Sequence, residues 1–303
     1  MYDKTIINNE EFFVEWLANK FCYSSILEAI VWPSPGLVNL FDNGSHNDMD
    51  VKIFLNSSIF LKKYFKQAAV IGYKNHHQID KIFPHLREVG KQAEKEMFLL
   101  NKGVNTHKGT IFLGLLVCAA ASIVYKNTKE LSPVSICDQT SIISKKYLEK
   151  DLEYEGKNLT TGLKAYKEYG FTGIRGQVID GLAIIHNFSL PILKESLING
   201  LSLRLSLVQT LISLISRLDD TTILNRKFEV DRIHFAKKWA LKVLEAGGIY
   251  TKEGKKLIKV MNEEFKQCSI SPGGSADLLI ITASLYFWNE ELPEVQEILN
   301  EIS

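Results

Sequence analysis

The chain has 303 residues, of which 46% are hydrophobic and 23% are charged, values that are ordinary for a globular protein. The formal net charge is +1, so no overall field favours nucleic acid or an anionic membrane as a partner. The four cysteines form no C-x-x-C pair, which argues against the common zinc and dithiol motifs. The first residues include Asp3, Glu10 and Glu11 rather than the apolar core of a signal peptide, so we expect a cytoplasmic protein.

Apolar residues recur at helical spacing along nearly the whole chain. Clear stripes begin at Phe12, Phe54, Leu203 and Ile233, and each is typical of a helix that packs against a core. The sequence contains no convincing alternating strand and no glycine motif of the common nucleotide-binding α/β folds. We therefore predict an all-α protein, a single domain over residues 1–303, built as a bundle of about eleven helices around a central apolar helix.

Prolines are expected to stand between the helices, because a proline cannot donate the backbone hydrogen bond of a helix interior. This interpretation applies to Pro33, Pro35, Pro84, Pro133, Pro191 and Pro272. The stretch 127–160 is polar and mixed, so the sequence defines its secondary structure least well. A mobile lid is one interpretation of this stretch.

The stretch from Gly109 to Tyr125 carries no charged residue. A membrane-spanning helix usually needs about 20 apolar residues, and this stretch is shorter and rich in glycine, alanine and serine. We therefore interpret it as the central helix of the bundle, packed on all sides, and we expect no membrane partner.

The first of four polar loops precedes the stripe that begins at Phe54. It holds Asp42, His46, Asp48 and Asp50 close together. Oxygen ligands at this density suit a hard cation such as Mg²⁺, although the spacing is not that of an EF-hand. The alternative is a solvated turn in which Asp48 or Asp50 caps the following helix.

The second loop, residues 103–109, runs directly into the apolar stretch. Asn105, Thr106, His107 and Lys108 can together donate hydrogen bonds and positive charge to an anion, and a helix N-terminus adds its backbone N–H groups. The loop therefore predicts a phosphate site. The alternative is a capped helix start with Thr106 as the N-cap.

Two further glycine-rich loops extend the pattern. In the third loop, three glycines surround Arg175, whose planar guanidinium suits phosphate. In the fourth, Gly273, Gly274 and Ser275 precede an apolar helix and could present backbone N–H groups to phosphate. Each loop also fits an ordinary helix cap or turn.

A pair of acids, Asp219 and Asp220, ends the stripe that begins at Leu203. Acids at a helix C-terminus oppose the helix dipole, so a metal or a cationic partner would explain them. Together the loops offer the components of a site for a polyphosphate and Mg²⁺. Opposite unit charges about 4 Å apart interact by roughly 4 kcal/mol at an effective dielectric of about 20. One lysine and one arginine would therefore leave much of a triphosphate uncompensated without the metal.

Taken in order, these loops resemble the triphosphoribosyl-dephospho-CoA synthase family, whose members prepare the prosthetic-group precursor for the acyl carrier subunit of citrate lyase or malonate decarboxylase. The similar segments are PSPGLVNLFDNGSHNDMD (33–50), GVNTHKGTIFLGLLVCAAA (103–121), YGFTGIRGQVIDG (169–181), LDDTTILNR (218–226) and SPGGSADLL (271–279). They span most of the chain, and GVNTHKG and SPGGSADLL are the most specific. The resemblance implies an all-helical transferase that moves the 5-triphosphoribosyl group of ATP onto the ribose 2′-hydroxyl of 3′-dephospho-CoA and releases adenine.

The resemblance places the matching residues in one site, and we assign their roles from the chemistry of the reaction. Cleavage of the ribose–adenine bond through an oxocarbenium-like transition state calls for a base at the attacking hydroxyl. We assign catalytic roles to His46, Asp48 and Asp277, with His46 or Asp277 as the base. The expected ligands of Mg²⁺ are Asp42, Asp48, Asp50 and Asp220. The expected contacts to ATP and its phosphates are Asn105, Thr106, His107, Lys108, Arg175, Arg226, Gly273, Gly274 and Ser275.

Four positions depart from the family's pattern. Ser34 stands where a lysine is expected, Thr222 stands where an asparagine is expected, and Lys227 and Phe228 follow Arg226 in place of two glycines. A lost cation and a lost glycine turn would change the acceptor or abolish the activity. The alternatives are a divergent transferase or a nucleotide hydrolase on the same fold, a nucleotide-binding protein without catalysis, and a purely structural helical protein.

Overall fold

The computed structural model describes residues 9–156 and 159–292. This part of the chain forms twelve α-helices and no strand. The helices are α1 (Glu10–Ile30), α2 (Val51–Lys74), α3 (Ile79–Leu100), α4 (Lys108–Thr128), α5 (Pro133–Leu152), α6 (Thr161–Tyr169), α7 (Gly173–Ile179), α8 (Leu190–Ile198), α9 (Leu203–Arg217), α10 (Asp231–Glu245), α11 (Lys252–Gln267) and α12 (Gly273–Phe287). Short 3₁₀ turns occur at Thr221–Asn225 and Gly248–Tyr250, and a π-helical turn at Ile185–Ser189. The predicted all-α, single-domain class is confirmed.

Helix α4 is the predicted central helix, and it packs against α1, α2, α3, α5 and α12. Every side chain from Leu113 to Tyr125 is buried. Small residues allow neighbouring helices to approach closely: a Cβ on Gly72 of α2 would come within 2.2 Å of the Ala119 carbonyl oxygen. In the described part of the chain, α4 alone is long and apolar enough to cross a membrane, yet 83% of its apolar window is buried inside the protein. Central helices of globular bundles have this same composition.

Pro84 lies inside α3, so the prediction that it separates two helices is wrong. A proline cannot donate to the carbonyl four residues earlier, which here belongs to Asp80. The Tyr147 hydroxyl on α5 donates to that carbonyl at 2.7 Å. A hydrogen bond between helices thus replaces the missing one within the helix, and α3 continues through the proline.

The stretch 127–160 is more regular than the sequence indicates, because most of it forms α5. The side chain of Ser132 caps this helix by accepting from the Ser135 N–H, and Pro133 occupies the first turn. The idea of a lid therefore concerns only the short connection after α5, in which residues 157 and 158 lie outside the described residues.

A buried lysine holds the C-terminal end of α12 against α1. Lys20 is 2% exposed, and its ammonium donates to the carbonyl oxygens of Phe287 and Glu290. The same ammonium lies 4.7 Å from the ring centre of Trp16. Carbonyls at a helix C-terminus have no partner within the helix, so this lysine satisfies groups that burial would otherwise leave unpaired.

We expect Lys20→Met to lower the free energy of unfolding by about 1–3 kcal/mol, because the buried Phe287 carbonyl and the partly buried Glu290 carbonyl lose their donor. Urea unfolding followed by circular dichroism would measure this change. The control is Lys62→Met, which removes a surface ion pair with Glu15 and should cost less than about 1 kcal/mol. Equal urea midpoints for the two variants would show that Lys20 does not stabilise the C-terminal end of α12.

Candidate active site

Two cavities adjoin at the N-terminus of α4. The smaller, of about 340 Å³, lies between the end of α1, the loop 31–50 and the start of α12. The larger, of about 760 Å³, lies between α3, α4, α5 and α7. Both volumes are in the range of ligand-binding pockets. The residues that line both cavities are Asn105, Lys108, Gly109, Thr222, Asn225 and Asp277.

Asp277 lies on the wall that the two cavities share. It belongs to the first turns of α12, is 9% exposed and accepts a hydrogen bond from the Thr110 hydroxyl at 2.6 Å. Its carboxylate rests against Gly109, where a Cβ would come within 1.8 Å of Oδ2. Burial raises the pKa of Asp277 to about 7. The hydrogen bond from Thr110 opposes this rise, and the negative charge of Asp220 adds to it. This carboxyl can therefore exchange a proton near neutral pH, as a general base must.

Glu28, near the end of α1, lines the smaller cavity and was not among the residues predicted from the sequence. It is 7% exposed and makes no hydrogen bond or ion pair with the described residues. Burial, followed by the charge of Asp277, raises the pKa of Glu28 to about 8. The sequence signal that could have identified Glu28 is a glutamate flanked by apolar residues near the end of a helix. Such a glutamate is worth notice because glutamate is almost never buried without a partner.

Asp220 is enclosed by the glycine turn that begins α12. Its carboxylate accepts from the backbone N–H groups of Gly274 and Ser275, at 3.1 and 2.8 Å, and from the hydroxyls of Ser275 and Thr222, at 3.0 and 2.6 Å. Burial raises the pKa of Asp220, and these hydrogen bonds oppose the rise. The N–H groups predicted to bind phosphate thus bind a carboxylate of the protein itself. The predicted Mg²⁺ ligand Asp220 serves as a helix cap.

The acids at the end of α9 are explained without a metal. Asp219 forms an ion pair with Lys237, whose ammonium lies 2.8 Å from Oδ1. Asp220 turns in the opposite direction, towards the positive end of the α12 dipole. Of the turn residues predicted to bind phosphate, Gly273 lines the smaller cavity, whereas Gly274 and Ser275 do not line either cavity.

Two more of the predicted Mg²⁺ ligands have structural partners outside the cavities. Asp42 accepts from Asn262 at 2.9 Å and from Lys266 at 3.0 Å. Burial raises the pKa of Asp42, but these two hydrogen bonds, the backbone hydrogen bond from Gly44 and the charge of Lys266 together outweigh it, so the net pKa is lowered. Asp50 is the N-cap of α2 and accepts from the Ile53 N–H at 3.0 Å, which agrees with the capping alternative.

His46, Asp48 and Arg226 form the mouth of the smaller cavity. The Arg226 guanidinium donates to His46 Nδ1 at 2.8 Å, which leaves His46 Nε2–H to donate to the Ser271 hydroxyl at 2.8 Å. Burial and the charge of Arg226 lower the pKa of His46 to about 4. Because its free lone pair already accepts from Arg226, His46 is a weaker candidate base than Asp277. The Asp48 carboxylate is 59% exposed and lies 3.9 Å from both His46 and Arg226.

His107 is a buried, neutral group rather than a cation. It occupies the N-cap position of α4, so the alternative with Thr106 as the N-cap is wrong. His107 is 2% exposed, and its Nε2 lies 3.1 Å from the Ser58 hydroxyl and 3.3 Å from the Phe54 carbonyl oxygen. Burial lowers the pKa of His107 to about 4. The Thr106 hydroxyl is turned inward and donates to Ser57 at 3.0 Å.

The remaining predicted phosphate contacts lie on the shared wall and in the larger cavity. Lys108 and Asn105 line both cavities, and Lys108 forms an ion pair with Glu94 at 2.6 Å. Arg175 on α7 lines the larger cavity, is half-buried, and makes no hydrogen bond or ion pair with the described residues. Apolar residues of α3, α4 and α5 also line this cavity, among them Phe83, Leu86, Phe112, Leu115 and Leu148. The larger cavity thus combines apolar surface with an unpaired guanidinium.

The positions that depart from the family's pattern mostly lie away from the cavities. Ser34 is 2% exposed and accepts from Asn39 at 3.1 Å within its own loop. Lys227 forms an ion pair with Glu229 at 2.7 Å and lines neither cavity. Thr222 lines both cavities and keeps a hydroxyl that serves the α12 cap. The substitution at position 222 is therefore compatible with the local geometry.

No group of three or more His, Cys, Asp or Glu side chains among the described residues is arranged to hold a metal ion. Of the four predicted Mg²⁺ ligands, Asp48 lines a cavity, and the other three do not. The four carboxylates do not converge, so they do not form a cage for the metal.

The fold and the cavities define a class of protein: an all-helical protein with two adjoining cavities, one buried carboxyl group on their shared wall and a second in the smaller cavity. Residues 14–295 match the CitG family, described as ATP:dephospho-CoA triphosphoribosyl transferase. The chain belongs to this family, as the five similar segments of its sequence predicted. It is an enzyme of the transferase class.

Curated relatives agree with this assignment. The chain is 33% identical over 266 residues to the 2-(5″-triphosphoribosyl)-3′-dephosphocoenzyme-A synthase of Pectobacterium atrosepticum, with 88% of this chain and 86% of the relative covered. It is 34% identical over 276 residues to the probable synthase of Photobacterium profundum, with coverages of 90% and 87%. Protein CitXG of Leuconostoc mesenteroides is 34% identical over 265 residues, and there the match covers 86% of this chain and 56% of the relative. No solved structure matches the chain.

Proposed function

We propose that this enzyme transfers the 5-triphosphoribosyl group of ATP to the ribose 2′-hydroxyl of 3′-dephospho-CoA. The bond between ribose C1′ and adenine N9 breaks, and a bond forms between C1′ and the acceptor oxygen. The hydroxyl proton of the acceptor is lost and adenine gains one, so the products are the coupled dephospho-CoA and free adenine. The family membership supports the activity, and the two adjoining cavities support a reaction between two large substrates.

The observation that carries this proposal is the position of Asp277 on the wall between the cavities. A base in a transfer reaction must reach the acceptor hydroxyl while the donor carbon lies next to it. Asp277 is accessible from both cavities, and its pKa of about 7 lets it take up a proton at neutral pH. We assign it as the base, in preference to His46.

The chemistry of each cavity suggests how the substrates divide. Dephospho-CoA has a long pantetheine arm and a diphosphate, which suit the apolar surface of the larger cavity and the unpaired Arg175. ATP suits the smaller cavity, with its ribose beside Asp277 and its triphosphate towards Lys108 and Arg226. This division moves Arg175 from the expected ATP phosphates to the diphosphate of the acceptor.

We further propose that Mg²⁺ enters with the triphosphate. Mg²⁺ is usually bound by one or two carboxylates together with substrate phosphates, and the exposed Asp48 at the cavity mouth is placed to contribute one. Its charge would offset that of the triphosphate. We also propose, from the family resemblance, that the reaction takes place in the cytoplasm and supplies the prosthetic-group precursor of an acyl carrier protein.

The direct test is to incubate the purified protein with ATP, Mg²⁺ and 3′-dephospho-CoA and to follow adenine and the coupled product by mass spectrometry. Equal amounts of the two products are the expected result. Adenine without the coupled product would indicate nucleotide hydrolysis instead. ATP binding by calorimetry without either product would indicate a binding protein.

We expect Arg175→Met to raise the KM for dephospho-CoA by about tenfold or more, because a charge-assisted hydrogen bond to phosphate contributes roughly 1.5–3 kcal/mol. The KM for ATP should change by less than about threefold, since the two substrates occupy different cavities. Steady-state kinetics with each substrate varied in turn would measure both constants. An effect confined to ATP would reverse the proposed division of the cavities.

A further inference from the structure

Glu28 is a buried carboxyl group that faces a cavity and has no partner among the described residues. Burying a polar group without a hydrogen-bond partner costs free energy. Buried polar groups in folded proteins therefore nearly always have a partner, and an exception calls for an explanation. A ligand that enters the smaller cavity would supply the missing partner.

We infer that Glu28 is the acid that protonates adenine as it leaves, a step that rests on the proposed transfer. Adenine leaves readily from ribose when a ring nitrogen takes up a proton, because the electrons of the broken bond then stay on a neutral base. A carboxylic acid placed at the leaving group supplies such a proton in glycoside cleavage. Glu28 lines the cavity assigned to ATP, on the same cavity surface as Asp277.

The two carboxyl groups account for every proton in the reaction. Glu28 gives its proton to a ring nitrogen of adenine while the C1′–N9 electron pair moves onto the base. The acceptor oxygen forms its bond to C1′, and its hydroxyl proton passes to the Asp277 carboxylate. The pair carries one proton before and after the transfer, so the resting state returns when that proton moves from Asp277 to Glu28.

The surroundings favour Glu28 over its neighbours as the acid. The other titratable or charged groups lining the cavity are His46, Asp48, His107, Lys108, Arg226 and Asp277. The two histidines are neutral and already hydrogen-bonded, and Asp48 is exposed at the mouth. Burial raises the pKa of Glu28 to about 8, so the proton is present at pH 7.

The test compares wild type with Glu28→Gln, which keeps the size of the side chain but cannot supply the proton. The first donor is ATP, and the second is ATP methylated at N7 of adenine, whose cationic base leaves without taking up a proton. The matched control is Glu15→Gln on the same helix, where Glu15 pairs with Lys62 and Lys66 at the surface. The melting temperature of each variant is measured without ligand.

With ATP, we expect Glu28→Gln to lower kcat by about a hundredfold or more, with the KM for ATP changed by less than about threefold. The methylated donor should restore the variant to within about tenfold of wild type. Wild type should lose activity above about pH 8, and this basic limb should be absent in the variant. The melting temperature should equal or exceed that of wild type, because a buried ionisable group has been removed.

Normal turnover of ATP by Glu28→Gln would overturn the inference. So would an equal loss with both donors, since that pattern indicates a positioning role. If wild type does not turn over the methylated donor, the pH profiles with ATP decide the question. A basic limb that is present in wild type and absent in Glu28→Gln supports the inference, and a limb that is absent from wild type or kept in the variant contradicts it. Failure of the proposed function is distinct, because wild type would then release no adenine from ATP at all.

Discussion

Asp277→Asn will lower the rate of adenine release by about a hundredfold to ten thousandfold, the usual contribution of a general base. Asparagine has nearly the same shape and can still accept the hydrogen bond from Thr110, but it cannot take up the acceptor's proton. Product formation from ATP and 3′-dephospho-CoA, measured by mass spectrometry at saturating substrate, gives the change in kcat. Unchanged ATP binding by calorimetry would show that the loss belongs to the chemical step.

The same substitution should make the ligand-free protein more stable at neutral and alkaline pH. The pKa of Asp277 is raised from 3.8 to about 7 in the folded protein, so the folded state binds more protons than the unfolded state between these values. The stabilising contribution of this carboxyl is present below about pH 4 and is lost as the pH rises through about 7. Asparagine does not titrate, and its advantage in melting temperature should therefore grow over that range.

The control for both measurements is Asp219→Asn, which removes a partly exposed ion pair with Lys237. It should change kcat by less than about twofold and stability by less than about 1 kcal/mol. A full rate in Asp277→Asn would exclude it as the base. Asp48 would then be the remaining predicted catalytic carboxylate at the smaller cavity.

The helices could be predicted because their signals are local. The stripe that begins at Leu203 is α9, and the uncharged stretch from Gly109 is α4, with its end close to the predicted one. Pro84 was misinterpreted because Tyr147, which satisfies the carbonyl that the proline leaves free, comes from another helix. A single local window of sequence does not contain that partner.

The polar loops could be located from the sequence, but the partners of their polar groups could not. Gly274 and Ser275 have the composition of a phosphate-binding turn, yet Asp220 from the end of α9 occupies their N–H groups. His107 has the composition of a phosphate ligand, yet burial beside Ser58 keeps it neutral. Asp277, predicted as a catalytic residue, does line the candidate site.

Glu28 is a cavity-lining residue that the sequence patterns did not identify. It lies outside every polar loop, and a glutamate on an amphipathic helix is ordinarily exposed. Its burial depends on the packing of α1 against α12 and on the loop that follows α1. The position of Glu28 in the same cavity as Asp277 therefore becomes visible only when the helices are assembled.

Gly109→Ala should impair the enzyme through the space that the glycine leaves for Asp277. Gly109 does not have a positive φ, so its backbone is compatible with alanine. A Cβ at this position, however, would lie 1.8 Å from Asp277 Oδ2, and the carboxylate would have to move away from Thr110. We expect kcat to fall by about a hundredfold and the free energy of unfolding to fall by about 1–3 kcal/mol.

The matched control for stability is Gly90→Ala within α3, on the wall of the larger cavity, where the new Cβ would meet only the end of the Leu115 side chain at 3.3 Å. Alanine has a higher helix propensity than glycine by about 1 kcal/mol, so this variant should be as stable as wild type or more stable. Combining Gly109→Ala with Asp277→Ala should restore most of the lost stability but none of the activity, because the clash is removed along with the base. Additive losses in this double-mutant cycle would show that the two residues do not interact, and the glycine in the first turn of α4 would then need another explanation.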